Sequence, residues 1–486
     1  MSAAFVIAID QGTTGTTTVL FDRAGQSVAQ AYREIPQVYP HPGWVEHDAD
    51  VIWQSVVATV AEVSAGVVGR IAAVGITNQR ETTVLWDAAS GRPLHHAIVW
   101  QCRRTSPDCV ALQTHAGLIR ERTGLPLDAY FSATKIRWLL EHVAAADSAS
   151  ARVGTVDSWL IWKLTSGRTH ATDVTNASRT MLLNLTSRCW DPELLRLFGI
   201  PAALLPEVRP SLADYGRIDA IPALRGVPIL GVVGDQQAAL FGQACFQRGQ
   251  IKNTYGTGCF LLMNTGDEAV RSTRGLITTL AVDAAGQPCY ALEGSVFVAG
   301  AAVQWLRDGL GLIGHASETA AAAEAVTDNG GVYMVPAFVG LGAPHWDAEA
   351  RGAIVGITRG SRREHIIRAA LEAIAYQTRD VFVAMEQETG VRAAALAVDG
   401  GASANDFLMQ FQADILGCQI LRPAAIESTS RGAAWLAGLH AGIWRSSAEL
   451  AATRTVERSF SPTLADSQRT RLLDGWQKGL RQARTR

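Results

Sequence analysis

FVIAIDQGTTGTTTVLF, residues 5–21, decides the fold. Phe5–Ile9 is an uninterrupted apolar run, the pattern of a buried strand, and it stops at Asp10. The turn Asp10-Gln11-Gly12-Thr13-Thr14 follows, and a second run, Thr17–Phe21, leads away from it. Downstream, Asp48 or Asp50 is placed to cap a helix that carries Ile52, Val56, Val60 and Val63 on one face. Ile71–Ile76 and Ile229–Val233 read as further strands. Strands alternating with helical patterns predict α/β architecture.

The second half repeats this grammar. Ile251–Tyr255 precedes the turn Gly256-Thr257-Gly258, and Phe260–Met263 resumes the apolar pattern. Ser361 with Glu364 predicts a capping box, opening a helix with Ile366, Ile367, Ala370, Leu371 and Ile374 on one stripe. Leu396–Val398 runs into Asp399-Gly400-Gly401-Ala402-Ser403-Ala404-Asn405. A helix bearing Phe407, Leu408, Phe411 and Ile415 follows, and Gly417 stops it. The tail after Ser446 is polar and only weakly helical in pattern. The chain of 486 residues, 48% hydrophobic, is long enough for substantial cores. It reads as two α/β domains, 1–246 and 247–486, with the boundary near Cys245–Gly249.

Lys and Arg number 43 against 45 Asp and Glu, a net charge of −2 with no long block of one sign. That argues against nucleic acid as a partner, since phosphate backbones need a positive surface. The seven cysteines are scattered and form no C-x-x-C pair, so neither a disulfide framework nor a zinc site is expected. The N-terminus lacks a basic n-region, and Glu62 and Arg70 interrupt the apolar stretch around Val56–Ile76. The expectation is a cytoplasmic protein with no membrane insertion.

Two Gly/Thr turns, one opening each half, suit phosphate binding. Glycine lets backbone N–H groups approach an anion, and threonine adds hydroxyl donors. Ordinary hairpin turns also use these residues, but the duplication fits a nucleotide held by one such loop from each domain. Neither turn is a G-K-[ST] loop or a G-x-G-x-x-G loop. Asp10 ends its strand where a carboxylate can reach magnesium through water. Asp235 follows the Ile229–Val233 strand, where α/β sheets collect ligands, and reads equally as a proton acceptor or a helix cap. Arg80-Glu81 follows another strand and offers a donor beside an acceptor, matched to adjacent hydroxyls of a polyol, unless it is a solvated surface pair. Trp100 and Phe260 can wall a small pocket or sit in the core. Asn405 reads as a helix N-cap or a nucleotide contact.

Together these segments resemble the glycerol kinases of the FGGY carbohydrate kinase family. The resemblance runs from about Phe5 to Trp444. It is carried by DQGTT at 10–14, PGWVEHD at 42–48, GITNQRETT at 75–83, AIVWQCRRT at 97–105 and DAYFSATK at 128–135. TNASRTM at 175–181, GDQQAALFGQ at 234–243, NTYGTGCF at 253–260, PAFVGLGAP at 336–344 and DGGASAN at 399–405 complete it. It implies two ribonuclease H-like domains of the actin-like ATPase superfamily, with the active site in the cleft between them. It implies phosphorylation of glycerol by ATP to sn-glycerol 3-phosphate, the entry step of glycerol catabolism, in a homodimer or homotetramer. Arg80, Glu81, Tyr130, Asp235 and Gln236 would bind glycerol, with Trp100 and Phe260 against its carbons. Asp235 would be the catalytic base, and Asp10, with Asp235, would hold magnesium. Thr13, Thr14, Gly15, Thr17, Thr257, Gly300, Gln304, Gly401 and Asn405 would bind the nucleotide.

The chain departs from its relatives in two places. Many have two serines and an arginine after the residue matching Thr14, where this chain has Gly15-Thr16-Thr17. Bacterial relatives inhibited by fructose 1,6-bisphosphate carry a longer, Gly-rich basic loop where this chain has the segment Arg217–Gly226, and the inhibition is expected to be lost. Two rival readings are a pentulose kinase of the same family and a non-enzymatic nucleotide switch of the same fold; the polyol constellation disfavours both.

Overall fold

The computed structural model describes residues 5–485 apart from positions 348, 425 and 426. It divides into two compact units. The first holds Met1–Phe246 together with Thr278–Tyr290 and Ser428–Thr453; the second holds Gln247–Ile277, Ala291–Glu427 and Arg454–Arg486.

The first unit is built on β1 (Phe5–Gln11), β2 (Gly15–Phe21), β3 (Ser27–Glu34), β4 (Ile71–Asn78) and β5 (Ile229–Gly234). Their order in the sheet is β5-β4-β1-β2-β3. β1 pairs antiparallel with β2 and parallel with β4, and β4 runs parallel to β5. Both faces of this sheet are covered, which is why β1 is apolar at every position from Phe5 to Ile9. Ile7 and Ile9 face one core, against Ile52, Val56, Val60 and Val63 of helix α1 (Ala49–Ser64). Val6 and Ala8 face the other, against Ala433, Trp435, Leu436 and Ala437 of the helix Ser428–His440. Asp48 caps α1, accepting from the Asp50 and Val51 amides at 2.8 and 3.4 Å.

Helix α3 follows β5 directly, over Asp235–Gly242; α2, Ser132–His142, lies earlier in this unit. Backbone contact clamps α3 in place. A Cβ on Gly432 would sit 1.9 Å from the Ala238 carbonyl oxygen, and one on Gly75 would sit 2.2 Å from that of Ala433. Only glycine permits the Ser428–His440 helix to lie this close to α3 and to the sheet.

The second unit repeats the core of this arrangement. β6 (Ile251–Tyr255) forms a hairpin with β7 (Cys259–Gly266), β8 (Ala395–Asp399) runs parallel to β6, and β9 (Gln419–Pro423) runs parallel to β8. β10 (Val456–Phe460) closes that edge antiparallel. The order β7-β6-β8-β9 reproduces β2-β1-β4-β5, a hairpin flanked by two parallel strands. Helix α4 (Arg363–Thr389) lays the expected stripe, Ile367, Ala370, Leu371 and Ile374, into the core. Its start differs from the expected Ser361–Glu364 box. The N-cap is Arg362, whose amide donates to His365 Nδ1 at 3.0 Å, while the Ser361 hydroxyl takes the Thr358 amide at 2.9 Å. Ser361 therefore closes the preceding turn, and the imidazole does the work assigned to the glutamate. Helix α5 spans Asp406–Leu416 and ends at Gly417, φ 73°. The polar tail forms α6 (Asp466–Ala483), held by a narrow buried stripe. Trp476 stacks on Tyr376 at 5.3 Å and donates its indole N–H to Asp380 at 2.9 Å.

Candidate active site

Three parallel strands of the first unit deliver the candidate groups to one edge. Asp10 lies beside Thr77 in the β1–β4 register, and Thr77 beside Val233 in the β4–β5 register. Arg80 and Glu81 come three and four residues after Thr77, and Asp235 two after Val233. All four thus stand at or just beyond the carboxyl ends of neighbouring parallel strands, where open α/β sheets bind ligands.

The polar groups there are not a solvated surface pair. Arg80 is 3% exposed and Glu81 1%. The Arg80 guanidinium places Nε 3.1 Å from Asp235 Oδ1 and 3.9 Å from Glu81 Oε1, and donates to Gln237 Oε1 at 3.2 Å. Glu81 in turn accepts from Arg179 Nε at 2.6 Å. Two guanidinia and two carboxylates therefore interlock, which is the condition for burying charge. Arg179 is assigned no role by local sequence pattern. It was hidden because its partner lies 98 residues away in the chain. The side chain of Asp235 is 28% exposed against 2% for Arg80, so the carboxylate is the member of the pair that a ligand can reach.

Glu81 adopts a left-handed backbone, φ 63°. Such a conformation in a non-glycine residue costs about 1–3 kcal/mol and survives only where its surroundings hold it. The hydroxyls of Ser132, at the start of α2, and of Thr83 hold it here by donating to its carbonyl at 3.0 and 3.2 Å. In this conformation the Glu81 side chain meets Arg179.

Aromatic rings stand beside this cluster. Trp100 and Tyr130 meet edge to face at 5.5 Å, and the Arg179 guanidinium lies 5.6 Å from the Tyr130 ring centroid. The Tyr130 loop is braced by Lys135, fully buried, whose ammonium donates to the carbonyls of Ala129 at 2.8 Å, Phe131 at 3.1 Å and Tyr130. Burial lowers the Lys135 pKa to about 8. Gln236 is buried, and its backbone N–H donates to Asp235 Oδ1 at 2.7 Å. Asp235 is thus the first residue of α3, with Gly234 as the N-cap.

The Gly12–Gly15 turn closes on itself, Gly12 N–H to Gly15 O at 2.9 Å. Thr14 is exposed at its tip, Thr13 is half-buried, and Thr17 lies directly opposite Asp10 in the hairpin register. A Cβ at Gly15 would fall 2.4 Å from the Tyr32 ring, whose hydroxyl donates to Thr14 O at 3.2 Å. Tyr32 occupies the space a larger side chain at position 15 would need, a physical reason for glycine there.

The remaining candidates lie in the second unit. The Gly256–Gly258 turn is docked on the short helix Gly300–Gln304: Gly300 N–H donates to Gly256 O at 3.0 Å and Ala301 N–H to Thr257 O at 3.1 Å. Phe260 pairs with Thr254 across the β6–β7 hairpin. Gly401 opens the turn after β8, and a Cβ there would meet open space. Asn405 is the N-cap of α5, accepting from the Leu408 amide at 3.0 Å, and its Nδ2 donates to Thr319 Oγ1 at 3.0 Å.

Among the described residues no group of three or more His, Cys, Asp and Glu can hold a metal ion. Asp10, within 3.4 Å of the Ser430 hydroxyl, instead suits magnesium carried in on phosphate oxygens, because that ion binds through one or two carboxylates plus water and phosphate. Among the described residues no helix is long and apolar enough to cross a membrane.

The model of the N-terminal domain of the FGGY family of carbohydrate kinases matches residues 5–242, and that of the C-terminal domain matches residues 251–441. A glycerol kinase of Symbiobacterium thermophilum is 56% identical over 495 residues, covering 100% of this chain and 99% of its own. One of Shewanella piezotolerans is 55% identical over 496 residues, covering 100% of both. Among solved structures, Plasmodium falciparum glycerol kinase with ADP superposes with a TM-score of 0.92 at 36% identity, covering 99% of this chain and 98% of that one.

Proposed function

The chain belongs to the FGGY family of carbohydrate kinases, and we propose that the acceptor of its phosphoryl transfer is glycerol, converted by ATP to sn-glycerol 3-phosphate and ADP. The observation that carries this reading is the buried Arg80–Glu81–Arg179 group, ending in the one accessible carboxylate, Asp235. Fixed donors and acceptors beside an aromatic wall suit a short polyol, whose carbons need apolar contact and whose neighbouring hydroxyls each need a partner.

Phosphoryl transfer is governed mainly by positioning and charge stabilisation. Arg80 and Glu81 orient the hydroxyls of glycerol, and Trp100 and Tyr130 cover its carbons. Asp235 Oδ1 is committed to the Arg80 guanidinium and the Gln236 amide; we assign Oδ2 as the acceptor of the attacking hydroxyl's proton. Arg80 also fixes the direction of the carboxylate, so the hydroxyl meets its base without reorganisation. Thr13, Thr14, Gly15 and Thr17 form the phosphate-facing turn of the first unit. Phe260, Thr257, Gly300, Gln304, Gly401 and Asn405 lie in the second unit, and we retain them as ligand contacts. Asp10, with Asp235, would hold magnesium, which would neutralise charge on the phosphates when bound. A dimer or tetramer in the cytoplasm belongs to the same reading.

Incubation with glycerol and ATP tests it: ADP release should equal formation of a product oxidised by sn-glycerol-3-phosphate dehydrogenase. ADP release without that product would contradict the assignment.

Fructose 1,6-bisphosphate at millimolar concentration is expected to leave the initial rate unchanged. In the segment Arg217–Gly226, Arg225 pairs with Asp219 at 3.4 Å, and Arg217 donates to the Gly226 carbonyl at 3.1 Å. Ile221 and Leu224 are buried, and Pro222 has no N–H to offer. Asp219 sets a carboxylate beside the exposed Arg225, where it would repel an approaching phosphate. Saturable inhibition lost on Arg225→Ala would contradict this.

A further inference from the structure

The first unit contains a closed ring of hydrogen bonds that no assigned role uses. The Trp100 indole N–H donates to Thr13 Oγ1 at 2.9 Å, and the Trp100 backbone N–H donates to Thr82 Oγ1 at 3.2 Å. The Thr82 hydroxyl donates to Gln79 Oε1 at 2.8 Å. Gln79 Nε2 donates to Gly12 O at 3.2 Å and to Gln11 Oε1 at 3.1 Å, returning to the residue before Thr13. The Gln79 backbone N–H adds a bond to Gln11 O at 2.7 Å. Gln79 and Thr82 are buried, so these groups have no water to fall back on.

We propose that this ring makes Thr82 and Gln79 positioning residues for the phosphate turn, with Trp100 as the link that holds the Thr13 hydroxyl for a phosphoryl oxygen. A threonine hydroxyl has one hydrogen. Thr13 Oγ1 accepts from the indole, so its own O–H is directed away from Trp100 and serves as a donor. The same indole stands against Tyr130, so one side chain joins the polyol wall to the phosphate turn. Thr82 is the keystone: its hydroxyl accepts from Trp100 and donates to Gln79, which fixes both ends. The proposal rests on the proposed reading both for the nucleotide contact at Thr13 and for the identity of the polyol.

The test is calorimetric binding of AMP-PNP with magnesium to the full chain, run beside steady-state kinetics. Thr82→Val removes the keystone, Thr82→Ser keeps it, and Trp100→Phe keeps the wall but loses the donor. Thr82→Val and Trp100→Phe are expected to weaken AMP-PNP binding about tenfold, the upper range for one hydrogen bond. Thr82→Ser should bind as wild type does, and the glycerol KM of Thr82→Val should move far less than its ATP KM. Should Thr82→Val fail to melt cooperatively, Trp100→Phe decides. Wild-type binding by both, or equal loss in the Ser and Val variants, would overturn the ring's role and leave only packing. A wild type that binds AMP-PNP without phosphorylating glycerol would sink the substrate assignment while leaving the ring testable.

Discussion

Asp235→Asn should lower kcat by about 10²–10⁴, the range for losing a general base. The substitution keeps an oxygen for the Arg80 guanidinium and the Gln236 amide, so the fold and the pose of the side chain survive. What disappears is the ability to take a proton. A loose transition state, in which the hydroxyl loses its proton late, places the loss toward the lower end of that range. Nucleotide binding should be unchanged, because the phosphate turn is held by Gln79 and Tyr32, not by Asp235. Stopped-time assays on the folded variant give the answer. Turnover within about threefold of wild type, roughly 0.65 kcal/mol of barrier, would remove Asp235 from the proton-transfer step.

The second large effect concerns the hydroxyls of the acceptor. 1-Propanol presents the hydroxyl to be phosphorylated but lacks its neighbours. It lacks the hydroxyls that Arg80 and Glu81 are placed to meet in a site that is otherwise buried. A site built to bond a hydroxyl rejects an analogue without it by about 10⁴–10⁵ in kcat/KM. Glu81→Ala should likewise fall mainly in glycerol kcat/KM, with the ATP KM little moved. It should also melt at a lower temperature, since the buried Arg179 loses its 2.6 Å bond to Glu81. Stranding one partner of a buried pair costs about 3–5 kcal/mol. Comparable kcat/KM values for 1-propanol and glycerol would show that these residues do not read the polyol.

Much of this was legible locally. The apolar run of β1, the single-face stripe of α1 and the Asp48 cap are short-range patterns, and the structure contains each of them. Asp10, Arg80, Glu81 and Asp235 stand out as candidates because each ends or follows a recognisable strand, and the structure sets those strand ends side by side. What could not be read depends on distant partners. Arg179 and Lys135 look like ordinary helix or loop cations until the fold buries them against Glu81 and the Tyr130 loop. Trp100 could be suspected as a wall, but its bond to Thr13 spans 87 residues. The Ser428–His440 helix packs in the first unit because Gly75 and Gly432 allow backbone contact, which no local window contains. The misread start of α4 is of another kind: Ser361-Arg362-Arg363-Glu364-His365 holds two overlapping capping patterns, and the neighbouring turn at Thr358 took the serine.

The buried Arg80–Glu81–Arg179 group should select a three-carbon polyol, whose hydroxyl gives its proton to the Asp235 carboxylate. The most direct measurement is kcat/KM for glycerol against D-xylulose, with ATP saturating and ADP release as the readout, on one preparation of the wild-type chain. Rapid turnover of glycerol and a far lower value for the ketopentose are expected. Equal values for the two, or preference for D-xylulose, would contradict it.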